Sequence, residues 1–252
     1  MKNQPNRRNF LKELSLTALG ATIIPDLVSA HNPVKKGPSF DTDAPVVLFQ
    51  GDSITDAGRS RDQYYANQAR GMGTGYVMQI VGELLGGYPT KNYQCYNRGI
   101  SGHKVFQLAE RWDIDALSLK PDILSILIGV NDYWHTLNGS YDGTVEVYEK
   151  DLRQLLDRTK EALPNVKLII GEPFAVAGGR AIDEKWENFH PYRGVARQIA
   201  SDYDAVFLPY HSVFEEALKS APVDYWCPDG VHPSIAGANL MAATWMEGFK
   251  KL

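Results

Sequence analysis

Long apolar runs are missing from this chain. No stretch reaches the roughly 20 consecutive apolar residues that a bilayer-spanning helix needs, so no membrane span is expected. Cysteine is scarce, with Cys95 and Cys227 the only two in 252 residues. A structural zinc site usually draws on about four Cys/His ligands at short spacing, and the sequence supplies no such set, so no structural zinc is expected. Two cysteines allow a single disulfide in an oxidising compartment or two small buried thiols, and both readings stay open. Clusters of Lys and Arg are absent beyond the first residues, and the formal net charge is −4. Phosphate binding needs concentrated positive charge, so nucleic acid is excluded as the main partner. Internal repeats and low-complexity tracts are lacking too, which excludes solenoids and arrays. What remains is one domain long enough to bury a full core without staples.

The chain opens with an address. Asn6-Arg7-Arg8-Asn9-Phe10-Leu11-Lys12 is a basic head, residues 14–24 are mildly apolar, and Val28-Ser29-Ala30 has the small-x-small pattern of a cleavage site. The paired arginines followed by Phe-Leu-Lys resemble a bacterial twin-arginine export signal. Residues 1–30 are therefore expected to be a signal peptide, and the mature chain to be periplasmic or secreted. Its removal takes four basic and two acidic side chains and leaves a formal charge of −6. Residues 31–43, rich in Pro, Gly, Lys and Asp, read as a flexible lead-in to a domain over 44–252.

Within that domain short apolar runs alternate with helical patterns. Strands are expected at 45–50, 93–97, 123–130, 166–171 and 205–209. The near-continuous apolar character of the first, third and fourth suits strands buried on both faces. Helices are expected at roughly 75–85, 104–117, 144–163, 188–201, 213–219 and 234–249. Such alternation predicts an α/β fold, a three-layer α/β/α sandwich around a central, mostly five-stranded parallel sheet. In such sheets chemistry sits at the carboxyl ends of the strands.

The chemistry-bearing motifs obey that rule. Gly51-Asp52-Ser53-Ile54-Thr55 follows the first strand and offers a serine nucleophile. It is not a G-x-S-x-G elbow, since Thr55 stands at the second glycine position. Asn97-Arg98-Gly99-Ile100-Ser101-Gly102 follows the second strand, where Gly99 can present a backbone N–H. Gly129-Val130-Asn131-Asp132 follows the third, where Asn131 can donate its amide. With the N–H of Ser53 these make three donors for an oxyanion. Asp229-Gly230-Val231-His232-Pro233 precedes the last helix, and a spacing of three lets the carboxylate hold the imidazole as general base. Each motif alone has a plainer reading: a loop or capping serine, a turn glycine, a strand-end asparagine. Asp52 and Asp132 read as structural carboxylates holding loop N–H groups. Tyr133, Trp134 and Trp226 flank the motif loops and are candidate substrate-binding residues, since aromatic faces suit sugar rings and apolar patches alike, with core or rim packing as the alternative. His103 and His135 lie near the second and third motif loops.

A Ser, a Gly, an Asn and a His in this order, in GDSIT, NRGISG, GVND and DGVHP, resemble the four blocks of the SGNH (GDSL-like) hydrolase superfamily, across residues 51–233. The resemblance implies a flavodoxin-like fold, a triad of Ser53, Asp229 and His232, an oxyanion hole of Ser53, Gly99 and Asn131, no cofactor, and ester hydrolysis through an acyl-enzyme. The stretches at 56–61, 73–77, 102–112 and 130–134 look like those of bacterial SGNH-type acetylxylan esterases, which implies an acetylated carbohydrate as substrate. An esterase for a lysophospholipid, thioester or other small ester, and a non-catalytic glycan-binding protein, are the competing readings. Oligomeric state is open.

Overall fold

The computed structural model describes residues 37–252. Residues 1–30, where an export signal is expected, and residues 31–36 lie outside the described residues. Five strands form one sheet: β1 (Val46–Gly51), β2 (Gln94–Asn97), β3 (Ile123–Leu127), β4 (Lys167–Gly171) and β5 (Val206–Leu208). Their order is β2-β1-β3-β4-β5 and every pairing is parallel. Every residue of β3 is buried, as are all but the first residues of β1 and β4. This is why their sequences run apolar without alternation.

Helices cover both faces. On one, α3 (Tyr76–Gly87) packs against the C-terminal helix α11 (Ile235–Phe249). Trp245 of α11 donates its indole N–H to Ser125 Oγ of β3 at 3.0 Å and lies against Phe49 of β1. Elsewhere α7 (Val145–Ala162) packs against α4 (Val105–Glu110) and α8 (His190–Asp202), and α8 reaches β4. Thr144 caps α7 and Ser234 caps α11, each accepting a backbone N–H three residues on. Phe40, ahead of β1, rests edge-on against Tyr93.

Two expected elements differ. The strand expected over 123–130 stops at Leu127, and a helix, α6 (Val130–Leu137), begins where extended chain was expected. Gly129 makes the turn at φ 129°, a conformation closed to most L-residues. A Cβ there would also press within 2.9 Å of the Tyr148 ring. Ile128 and Val130 are apolar because the turn is buried, not because it is extended. The helix expected over 104–117 breaks at Arg111 (φ −113°, ψ 8°) into α4 and α5 (Trp112–Asp115). Trp112 is fully buried after the break, with its N–H on Thr159 Oγ1 of α7 at 2.9 Å.

The chain leaves β1 to one side to form β2, then crosses to the other side to form β3. The crevice beyond the carboxyl ends of β1 and β3 is therefore the topological switch point, where open α/β sheets bind ligands. Ser53 and Asn131 both lie there, just past the paired residues Gly51 and Leu127.

Candidate active site

Ser53 is the first residue of α1 (Ser53–Asp56), a single turn that starts as soon as β1 ends. Asp52 caps it by accepting the N–H of Ile54 at 3.0 Å. At this position the Ser53 N–H has no acceptor within its own helix. Its hydroxyl lies 2.7 Å from Nε2 of His232, 179 positions away in sequence. His232 and Asp229 share the loop between α10 (Val223–Trp226) and α11. Asp229 Oδ2 lies 2.7 Å from His232 Nδ1, while Oδ1 accepts the N–H groups of Val231 at 2.9 Å and His232 at 2.7 Å.

Burial alone would raise the Asp229 carboxyl. The backbone N–H of His232, its imidazole and the N–H of Val231 outweigh that effect and hold the group below the usual carboxylate range. An ionised carboxylate only accepts, so Nδ1 carries the proton and Nε2 faces the serine hydroxyl as acceptor. The loop after β4 holds this arrangement: Val176 donates its N–H to Gly230 O at 2.7 Å, and Ala181 donates to Asp229 O at 3.0 Å.

The oxyanion donors need one correction. The N–H of Gly99, expected to point at substrate, is taken by Asn97 Oδ1 at 2.9 Å, and its carbonyl accepts from Arg59 Nε at 2.8 Å. Gly99 is glycine for packing, because a Cβ there would lie 2.5 Å from Asp56 N and 2.8 Å from Thr55 Cβ. Gly102, three residues on at φ 81°, keeps its N–H without a partner among the described residues. The sequence held a signal for this, since an Asn two residues before a glycine is the pattern of an Asx turn that consumes the glycine N–H. Asn131, buried in the first turn of α6, donates its amide to His103 O at 3.3 Å. That contact brings α6 against the Gly102 loop.

Comparison with known proteins agrees with this geometry. The profile of the GDSL-like Lipase/Acylhydrolase family matches residues 49–240. This chain belongs to that family. It is 37% identical over 206 residues to an acetylxylan esterase of Geobacillus stearothermophilus, spanning 80% of this chain and 92% of that one. A structure of a Parabacteroides merdae protein described as a GDSL-like lipase superposes with a TM-score of 0.82 at 49% identity, covering 85% of this chain and 99% of that one. The structure of Axe2, an acetylxylan esterase from G. stearothermophilus, superposes with a TM-score of 0.72 at 34% identity, covering 81% and 94%. The protein is a carboxylic ester hydrolase with the three-layer α/β/α fold.

Around Ser53, His232 and Asp229 the aromatic residues divide. Trp134 is half-buried, with its ring 6.2 Å from that of His232. Tyr133 does not line the site. It is only 6% exposed, packs among Trp186, Phe189 and Tyr192, and donates its hydroxyl to Lys185 O. Adjacent helical residues point in different directions, so only one of a Tyr-Trp pair can face the site. Trp226 sets its ring edge-on to Tyr225 and is not among the residues around the cavity at Ser53. That cavity, about 240 Å³, is bounded by Ser53, His232, Ala57, Thr74, Gly75 and Ile235, of which only the first two were expected. Arg59 and Arg61 anchor loops, Arg59 on Gly99 O and Arg61 on Asp56 Oδ2 at 2.8 Å.

Asp52 and Asp132 lie behind the site. Each accepts one backbone N–H through Oδ1, from Ile54 and from Val105, and each has a buried Oδ2 with no partner among the described residues. Burial pushes both carboxyls up to about 7, with the Asp132 charge adding to the rise at Asp52. Cys95 and Cys227 are buried free thiols. Among the described residues no group of three or more His, Cys, Asp or Glu is arranged to hold a metal ion.

Proposed function

We propose that this esterase removes acetyl groups from carbohydrate, on xylan or a related hemicellulose, through an acyl-enzyme on Ser53. The observation that carries the mechanism is the unbroken line from Asp229 through His232 to Ser53, with both contacts at 2.7 Å. His232 Nε2 takes the serine proton as Oγ attacks the ester carbonyl, and Asp229 stabilises the imidazolium that forms. The protonated imidazole then passes its proton to the departing sugar oxygen. Water repeats the sequence to release acetate and free serine. The N–H groups of Ser53 and Gly102 and the amide of Asn131 serve the developing oxyanion.

The acetylxylan esterases this chain resembles support the acetyl and xylan assignment. So does the small cavity at Ser53, which suits a short acyl group better than a long chain. The export-signal pattern at residues 1–30 agrees with a polymer-derived substrate met outside the cytoplasm.

Acetate release from acetylated xylan, measured for the protein and for Ser53→Ala, tests the proposal. The expected result is serine-dependent release, with loss of turnover and an intact fold in the variant. Serine-dependent hydrolysis of p-nitrophenyl acetate without release from xylan overturns the substrate and keeps the triad. Substantial activity in Ser53→Ala overturns the nucleophile.

A further inference from the structure

Two histidines outside the triad flank the free N–H of Gly102. His103 follows it in sequence. His135 approaches from α6, one helical turn beyond Asn131 and on the same face. A Cβ built on Gly102 would sit 4.0 Å from Cε1 of His135.

Each imidazole is gripped at the same atom by a cation. Arg111 Nε donates to His103 Nδ1 at 3.4 Å, and Lys104 Nζ meets His135 Nδ1 at 3.0 Å. Guanidinium and ammonium groups have no lone pair to offer, so both Nδ1 atoms are acceptors and both rings carry their proton on Nε2. The two cations are themselves held. Arg111 pairs with Asp115 Oδ2 at 2.9 Å, and Lys104 lies over the rings of Phe106 and Tyr141. Neither Nε2 has a partner among the described residues, and both rings are half-buried, with Nε2 still open to solvent. Burial, then the charges of Arg111, Arg61 and Lys104, push His103 down to about 4, against the opposing charge of Asp115. Burial and then Lys104 lower His135 as well. Two neutral N–H donors with fixed tautomers therefore flank the Gly102 loop.

We propose that His103 and His135 form a donor pair that binds hydroxyl or ring oxygens of the sugar carrying the acetyl group. This rests on the carbohydrate-ester reading above. An acetyl group offers one acceptor, its carbonyl oxygen, which the Ser53, Gly102 and Asn131 donors serve. Further acceptors beside Gly102 must come from the alcohol part of the ester. A hydroxylated ring replaces the water that it strips from the two imidazoles. An alkyl or aryl alcohol strips that water and returns nothing, and an unmet donor is costly. The pair thus selects for a polyhydroxylated leaving group.

The test is the ratio of kcat/KM on an acetylated xylooligosaccharide to kcat/KM on p-nitrophenyl acetate. It is measured for the parent, His103→Ala, His135→Ala, and the amide-bearing His103→Gln and His135→Gln. Each alanine variant is expected to lower the ratio about tenfold, mainly through KM for the sugar. Each glutamine, which keeps an N–H donor, is expected to recover part of it. A ratio that stays at the parent value in either alanine variant overturns the pair, as do equal losses on both esters. If the parent cleaves p-nitrophenyl acetate but no acetylated sugar, the carbohydrate reading has failed and this proposal fails with it. If the parent cleaves both and the variants keep the ratio, only this proposal has failed.

Discussion

Carboxylates approach Ser53 from two regions of the molecule, and the regions treat them in opposite ways. On the loop before α11, Asp229 meets three donors: two backbone N–H groups and an imidazole. At the carboxyl ends of β1 and β3, Asp52 and Asp132 each meet one N–H and leave an oxygen buried with nothing. The residue type is the same and all three sit beside motif residues. The count of donors decides the charge: Asp229 is held ionised below the usual range, while the other two are pushed up to about 7. The difference teaches that a carboxylate earns a place in proton transfer by being solvated by the fold, and that closeness to the serine is not enough.

The largest effect expected from breaking this comparison is on Asp229. Asp229→Asn should lower kcat of the order of 10⁴-fold, because the amide N–H₂ no longer holds the imidazole in the required tautomer. Its stability signature has a definite sign. The folded carboxyl lies below its unfolded value, so it stabilises the fold above that unfolded value and loses this as pH falls through the folded one. The variant should unfold at lower temperature than the parent at pH 7, with the gap narrowing as pH falls below the ordinary carboxylate range. Thermal melts across pH would show it, and a gap that persists in acid would contradict it.

Next comes Asn131→Ala, expected to cost about 100- to 1000-fold in kcat with little change in melting temperature. Its neighbour Asp132 sets the contrast within one turn of α6. Asn131 should act on rate and Asp132 on stability, and an unchanged rate for Asn131→Ala would remove it from the oxyanion hole.

The smallest effect belongs to Asp52→Asn and Asp132→Asn, and it runs the other way in pH. Their folded values, about 7, lie above the ordinary 3.8, so the fold keeps a proton that the unfolded chain gives up. The stability they contribute is full below the unfolded value and is lost as pH rises through the folded one. An asparagine cannot ionise. Each variant should therefore gain on the parent as pH rises from about 4 to about 7, seen as a melting temperature that falls less steeply with pH than the parent's. A gap of the same sign as that of Asp229→Asn would erase the distinction between the two regions.

Much of this was readable beforehand because the signals are local. Apolar runs of strand length marked all five strands, and Ser234 and Thr144 marked helix starts. The three-residue spacing of Asp229 and His232 already placed both on one short loop. What was missed depended on partners that spacing does not reveal. The apolar run at 123–130 reads the same whether the buried chain is extended or turning, so α6 stayed hidden. The break at Arg111 carries no Gly or Pro, and it forms because Trp112 is drawn into the core against Thr159. Tyr133 and Trp134 are equivalent by sequence, and only the packing of α6 against Trp186, Phe189 and Tyr192 sends one inward. Gly99 is the intermediate case, since its neighbour Asn97 was the clue that its N–H was taken.

The sequence by itself determined the parallel α/β architecture, the family and the order of the chemical groups. Backbone propensity, hydrophobic period and short motif spacing are properties of neighbouring residues. Only the tertiary structure decided that Ser53 and His232 meet at 2.7 Å, that the Gly102 N–H has no partner among the described residues, and that Asp229 is solvated by the fold while Asp52 and Asp132 are not. Those outcomes depend on how many donors converge on one atom and how much water is excluded from it, and both are set by segments far apart in the chain.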